Sequence, residues 1–223
     1  MKKIVLLLTI CLFFSDTYSQ DVMQSSYKKF DIGVGMFTDI WMDTPKDMNA
    51  RIINQGTSIY GMYNHKFGKS NISFAFGIGF GFHNLYSNTI IQDIKADSIA
   101  FVKIGDTIDY KKSKISLAYL DVPFEIRFKS RKGFRMAVGF KVGYLIDSKA
   151  KYKGERLTND GVKVKEKVQG IKHLEVFRYG PTIRFGYKWF NVTGYFSLSK
   201  IFEKDKGPES YPISVGIAII PYY

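Results

Sequence analysis

Between Ile72 and His83 the chain alternates large and small without a break. Ile72, Phe74, Phe76, Ile78, Phe80 and Phe82 occupy one register, and Ser73, Ala75, Gly77, Gly79, Gly81 and His83 the other. A period of two belongs to the β-strand, whose successive side chains point to opposite faces. In a soluble sandwich the large face would be core and the opposite face would usually carry charge. Here the opposite face is nearly all small. That suits the inside of a narrow closed barrel, where space is scarce, and leaves the large face for lipid.

The pattern recurs along the chain. Phe30, Ile32, Val34 and Met36 alternate with Asp31, Gly33, Gly35 and Phe37. Leu120, Val122, Phe124, Ile126 and Phe128 alternate with Asp121, Pro123, Glu125 and Arg127. Met136, Val138, Phe140, Val142 and Tyr144 alternate with Ala137, Gly139, Lys141 and Gly143. Phe177, Tyr179, Ile183 and Phe185 stand against Arg178, Gly180, Thr182 and Arg184. Val192, Phe196 and Leu198, then Ile213, Val215, Ile217 and Ile219, complete the series, and Thr57–Phe67 reads as a strand whose facing the pattern leaves open.

These segments match the roughly 9–11 residues that a tilted strand needs to cross a bilayer. In hydrocarbon every backbone polar group must pair between strands, so such a sheet has to close. Pro123 removes one ladder donor and predicts a bulge or a gap at its position.

Short connections at Gly68–Ser70, Ser130–Gly133 and Lys188–Trp189 alternate with long ones at Met42–Gln55, Ser87–Lys112, Asp147–Lys172 and Glu203–Glu209. That alternation predicts an all-β, antiparallel, up-and-down transmembrane barrel of about 8 strands, with short periplasmic turns and long extracellular loops. Gly105-Asp106 suggests a hairpin over Ile99–Ile108, and Asn159-Asp160-Gly161 one over Ala150–Val168. Aromatic residues mark the expected headgroup levels. Tyr27, Phe67, Phe128, Phe134, Trp189 and Phe190 fall on the short-turn side, with Trp41, Tyr86, Tyr119, Tyr144 and Phe202 on the long-loop side. The chain ends on Tyr223, an aromatic terminus of the kind that the barrel assembly machinery recognises during insertion.

Export fits this architecture. Lys2 and Lys3 precede an apolar run from Ile4 to Phe14, and Thr17 and Ser19 offer small residues for cleavage before Gln20. The run is too short to span a bilayer, which takes about 20 residues. Residues 1–19 therefore read as a signal peptide and 20–223 as one barrel domain in the outer membrane. Cys11, the single cysteine, lies inside the leader, so the mature chain has no disulfide, thiolate metal site or Cys nucleophile. The net charge of +13 would suggest nucleic acid in a cytosolic protein. For an exported membrane protein the acidic partners are lipid phosphates, and no nucleic acid is expected.

The segment AYLDVPFEIRFK (Ala118–Lys129), with its basic turn and the glycine-rich GFRMAVGFKVGYLID (Gly133–Asp147), resembles the PorT-type outer-membrane β-barrel family. The resemblance implies a fold more than a job, because its motifs are structural. Name-giving members of that family take part in type IX secretion and gliding motility, so a secretion-system protein is among the partners it implies.

Two sets of residues carry whatever chemistry the chain has. Asp31, Asp121, Glu125, Arg127, Lys141, Arg178 and Arg184 occupy inward positions, where charge must be paired or line a polar path. An ion-paired plug is the expectation, a narrow channel the alternative, and Lys141 is the expected partner of Glu125. Lys149, Lys151 and Lys153 alternate, as do Lys163, Lys165 and Lys167, and on paired strands they would share one face and meet lipopolysaccharide phosphates. A second basic group, from Lys28 and Lys29 to Lys129 and Arg135, is placed at the periplasmic rim. His65, His83 and His173, with serines such as Ser73 or Ser87, keep a lipid-modifying enzyme as the competing reading. No P-loop, dinucleotide fingerprint or metal-ligand spacing calls for a cofactor. The expectation is a non-enzymatic outer-membrane protein with a structural or interaction role, with envelope biogenesis or secretion as its setting.

Overall fold

The computed structural model describes residues 29–158 and 161–221. The expected leader and its cleavage site, Tyr27, Lys28, the Asn159-Asp160 turn and Tyr223 lie outside the described residues.

Alternation is converted into strands throughout. They are β1 (Phe30–Met42), β2 (Gln55–Lys66), β3 (Ile72–Tyr86), β4 (Thr89–Ile91), β5 (Phe101–Lys103), β6 (Tyr110–Lys129), β7 (Phe134–Glu155), β8 (Lys163–Gln169), β9 (Phe177–Tyr187), β10 (Phe190–Phe196) and β11 (Tyr211–Ile219). Eight of them pair antiparallel in the order β6-β3-β2-β1-β11-β10-β9-β7, and β6 meets β7 to close the barrel. Closure leaves no free edge within the ring, as the hydrocarbon requires. Pro123 leaves a gap and not a bulge. Between Phe76↔Phe124 and Gly79↔Asp121 the ladder of β3 with β6 is interrupted, and the register is unchanged across the gap.

Facing follows the pleat. Ile32, Val34, Met36, Ile78, Ile126 and Val138 are exposed, while Asp31, Ser73, Ala75, Arg127 and Ala137 are buried. β2, whose facing was open, turns Met62 inward and Ile59 outward. Outward positions from Leu120 to Phe128 cover about 20 Å of height at ~3.4 Å per residue and a tilt of about 40°. That is close to the apolar band of a membrane barrel.

The short turns span 67–71, 130–133 and 188–189 at one end, and the long connections 43–54, 87–109, 156–176 and 197–210 at the other. Gly68 and Gly133 hold φ of 57° and 87°, where a Cβ would be strained. The expected hairpin over Ala150–Val168 is present as β7 with β8, from Lys149↔Gln169 to Glu155↔Lys163. The hairpin expected over Ile99–Ile108 is not. β5 pairs instead with β4, Ile91↔Phe101 through Thr89↔Lys103, and the Gly105–Ile108 turn feeds β6. Ile90 and Ile91 were the better apolar partners for the 101–103 segment.

The girdle expectation holds at the short-turn end, where Phe67, Phe128, Phe134, Trp189 and Phe190 are exposed. At the other end it needs correction. Trp41, Tyr119 and Phe202 are buried inside the mouth, and Tyr144 is exposed. Trp41 and Tyr119 sit on the inward register of β1 and β6, so proximity to a strand end was not enough to place them at the lipid.

Candidate functional site

The bore is filled in layers. Nearest the short turns, Arg127 on β6 donates Nε to Glu125 Oε2 (2.7 Å) and Nη1 to Asp31 Oδ2 on β1, across the barrel. Arg184 on β9 donates Nη2 to the other Glu125 oxygen at 2.5 Å. Arg127 is only 1 % exposed, and a charge so deeply buried requires partners such as these carboxylates. Gly139 makes the crossing from β9 possible: a Cβ there would lie 2.9 Å from both Glu125 Cγ and Thr182 Oγ1.

Toward the loops lies a second layer. Arg178 at the start of β9 donates Nη2 to both oxygens of Asp121, at 2.7 and 2.8 Å, and its guanidinium lies 4.0 Å from the centre of the Tyr119 ring. Its Nη1 meets His83 Nε2 at 2.5 Å. A guanidinium can only donate, so Nε2 accepts and Nδ1 carries the proton toward Asp39 Oδ2, 2.7 Å away. Lys141 Nζ stands 3.6 Å from Asp121 Oδ2 and 4.0 Å from the Tyr195 ring centre. Between the layers is a cavity lined by hydroxyls of Tyr60, Thr182, Thr193 and Ser214 and by apolar side chains such as Phe37 and Ile217.

All seven inward charges expected from the sequence are thus within the bore or at its wall, sorted into two groups. Asp31, Glu125, Arg127 and Arg184 form one, and Asp121, Lys141 and Arg178 the other. The expected pairing of Lys141 with Glu125 does not occur. Lys141 lies opposite Pro123, Glu125 opposite Gly139 and Asp121 opposite Gly143, which leaves Lys141 diagonal to both acids. Two guanidinium groups already occupy Glu125, and Lys141 reaches the other way.

Asp39, fully buried, was missed. Its signal was available, because the period of two in β1 continues through Phe37 and Asp39 to Trp41. Arg135, placed at the short-turn rim from sequence, lies there at the start of β7, with its side chain turned inward and buried.

Above the second layer the mouth is closed by apolar side chains. Met48, Ile94, Leu174 and Phe202, one from each long connection, pack with Trp41, Leu85, Leu117 and Tyr119 of the wall. The loops are also stitched by backbone: Ile99 N–H to Lys206 O (2.7 Å), Lys172 N–H to Ile94 O (3.0 Å) and Glu203 N–H to His173 O (2.9 Å). Loop residues such as Ile94, Ile171, Leu174 and Ile201 have no lipid to face, and that was the available sign of a cap.

A closed antiparallel ring with an apolar outer wall and a charged, filled bore is the plan of a membrane barrel. A family model described as outer membrane protein beta-barrel domain matches residues 45–203. The chain belongs to that family. The match runs from the first long connection to just past β10, and the barrel extends beyond it by β1 and β11. No curated protein matches the chain.

Of the groups weighed as catalytic, Ser87 and His173 have partners in the loops, and Ser73 is buried on β3. Ser87 Oγ lies 2.9 Å from Thr89 Oγ1, and Ser214 donates to Asp39 Oδ1 at 2.5 Å. His173 Nδ1 is 3.0 Å from Glu203 Oε2 in the loops, and His65 is exposed on β2. The lysines fall outside the bore altogether. Lys149, Lys151 and Lys153 on β7 and Lys163, Lys165 and Lys167 on β8 share the outer face of the hairpin that rises beyond the barrel wall.

Proposed function

We propose that this protein is a non-conducting, non-enzymatic barrel of the outer membrane that presents its loop cap as a rigid interaction surface. The observation that carries this reading is the double closure of the bore. Arg127 and Arg178 tie opposite or neighbouring walls together, and an apolar cap drawn from all four long connections seals the mouth. An eight-stranded ring has little more room than its own side chains need. Ions would have to cross both a paired-charge layer and an apolar plug.

Against the enzymatic alternative stands the geometry at His83. A Ser-His-acid site needs the serine on the histidine nitrogen that faces away from the acid. That nitrogen faces Arg178, and Ser214 bonds the acid instead. The PorT-type likeness of Ala118–Lys129 and Gly133–Asp147 supports envelope biogenesis or secretion as the setting, with a partner protein of that machinery held at the cap.

Wild-type protein reconstituted in planar bilayers is expected to be electrically silent. Purification from outer membranes in mild detergent is expected to retain a stoichiometric protein partner. Steady ion-selective openings would replace this reading with the narrow channel, and a change in lipid A structure on deleting the chain would replace it with the enzyme.

A further inference from the structure

At the loop end β6, β7 and β8 form a three-stranded sheet that β3 flanks as far as Lys114 and that the cap packs against through Ile115 and Ala150. Its registers place lysines directly opposite one another in rows. Lys112 faces Lys153, which faces Lys165, and Lys114 faces Lys151, which faces Lys167. Lys149 stands one row lower between Ser116 and Gln169, and Lys163 one row higher beside Glu155. All these side chains share the outer face, because the opposite register holds Ser113 and Tyr152, then Ile115, Ala150 and Val168, against the loop interior.

Like charges directly opposite each other weaken a sheet. Three in a row, twice over, is a local conflict that a folded chain retains at functional sites. The outer face has few acids to relieve it: Asp147 pairs with Lys149, Asp109 lies 4.0 Å from Lys163, and Glu155 stands opposite Lys163 at the top of the sheet. Among the described residues Lys112, Lys151, Lys153, Lys165 and Lys167 have no carboxylate within ion-pair distance. Partial burial, then Lys114, Lys149, Lys167 and Lys112 around it, hold the Lys151 ammonium below its ordinary pKa. Lys114 is fixed by Asn84 Oδ1 (2.7 Å) and Tyr86 OH (3.1 Å), so the central row is anchored to the barrel wall.

Height and edge chemistry select the occupant. Leu120 and Tyr144 are the last lipid-facing pair below the sheet, and the lysine rows rise roughly 10–20 Å above them at ~3.4 Å per residue and a tilt of about 40°. That lies above the hydrocarbon, on the level of the polar, phosphate-bearing part of a glycolipid leaflet. Among the described residues β8 pairs only with β7, but a second copy added at its other edge would bring further lysines onto the same face. Lysine on an edge strand opposes such pairing.

We infer that the lysine-rowed outer face of the β6–β7–β8 extension is a docking surface for the phosphates of the outer-leaflet glycolipid, lipopolysaccharide. Bound phosphates sit between rows, cancel the repulsion and hold the hairpin upright beside the lipid. This inference depends on the loop end facing outward and not on whether the bore conducts.

The test titrates the full chain in detergent with bisphosphorylated lipid A, its monophosphoryl form and poly-glutamate, at low and high salt. Removal of lysines near an anionic lipid surface costs about fivefold each, so Lys151→Gln with Lys167→Gln is expected to weaken bisphosphoryl binding about 25-fold. The same pair changed to Arg should keep binding, and Lys69→Gln with Lys132→Gln at the short-turn end should not alter it. Because the Gln changes also remove repulsion, that variant should resist urea at least as well as wild type, which separates lost binding from lost folding. Equal affinity for both lipid A forms, or unchanged affinity in the Gln variant, would overturn the inference. Tighter binding of poly-glutamate than of lipid A would reassign the surface to an acidic protein. Conductance in bilayers bears on the proposed function alone, so the two can fail separately.

Discussion

Arg178 holds the Asp121 carboxylate by both oxygens from one nitrogen, at 2.7 and 2.8 Å, across the intervening strand β7. Arg178 is on β9 and Asp121 on β6, so the pair bridges two strands that do not touch. Gly143 lies between them, facing Asp121 on one side and Arg178 on the other. A side chain there would occupy the space where the two groups meet.

Asp121→Asn is therefore expected to leave Arg178 and Lys141 as uncompensated cations in the bore. Breaking a buried pair from one side costs about 3–5 kcal/mol. The measurement is a urea midpoint in detergent or lipid. Arg178→Lys should lose most of the same stability, because an ammonium cannot grip both oxygens while also reaching His83. Wild-type stability in either variant would mean that the layer is solvated and not structural.

Glu125 offers a test of partner choice. In double-mutant cycles, Glu125→Gln should couple to Arg184→Met, and Asp121→Asn to Lys141→Met, each by about 0.5–3 kcal/mol, the range for residues in contact. Glu125→Gln and Lys141→Met should be nearly additive. Strong coupling between positions 125 and 141 would restore the pairing that sequence spacing suggested.

The outer wall makes the third prediction. Ile78→Arg or Val138→Arg should destabilise the barrel by about 2–4 kcal/mol, the cost of arginine near a bilayer midplane. Asp97→Arg, in the exposed part of the β3–β6 connection, should change stability little. Refolding into vesicles and urea titration would read all three, and equal tolerance would show that the wall is not in lipid.

Much of this was legible before any coordinates, because a strand's side-chain period is fixed at two. Once Phe76 faces lipid, Ala75 faces the bore, and β1, β6, β7 and β9 each reveal their inward charges in this way. The same rule would have placed Asp39, Trp41 and Tyr119 inside had the alternation been followed to the strand ends. Short and long connections likewise separate the two rims without any knowledge of tertiary structure.

What the sequence by itself determined, then, was which face each side chain takes, because facing is a property of the local backbone. Which inward charges meet, and what the loops do, only the closed ring decided. Arg127 reaches Asp31 because closure and tilt bring β6 opposite β1, and no spacing along the chain encodes that distance. Lys141 chose Asp121 over Glu125 because two arginines from other strands had already filled Glu125. Ile94, Leu174 and Phe202 lie in three separate connections and become a cap only where those loops converge over the mouth. The lysine rows depend in the same way on the registers of three strands, and a shift of one residue would send each strand's lysines to the other face.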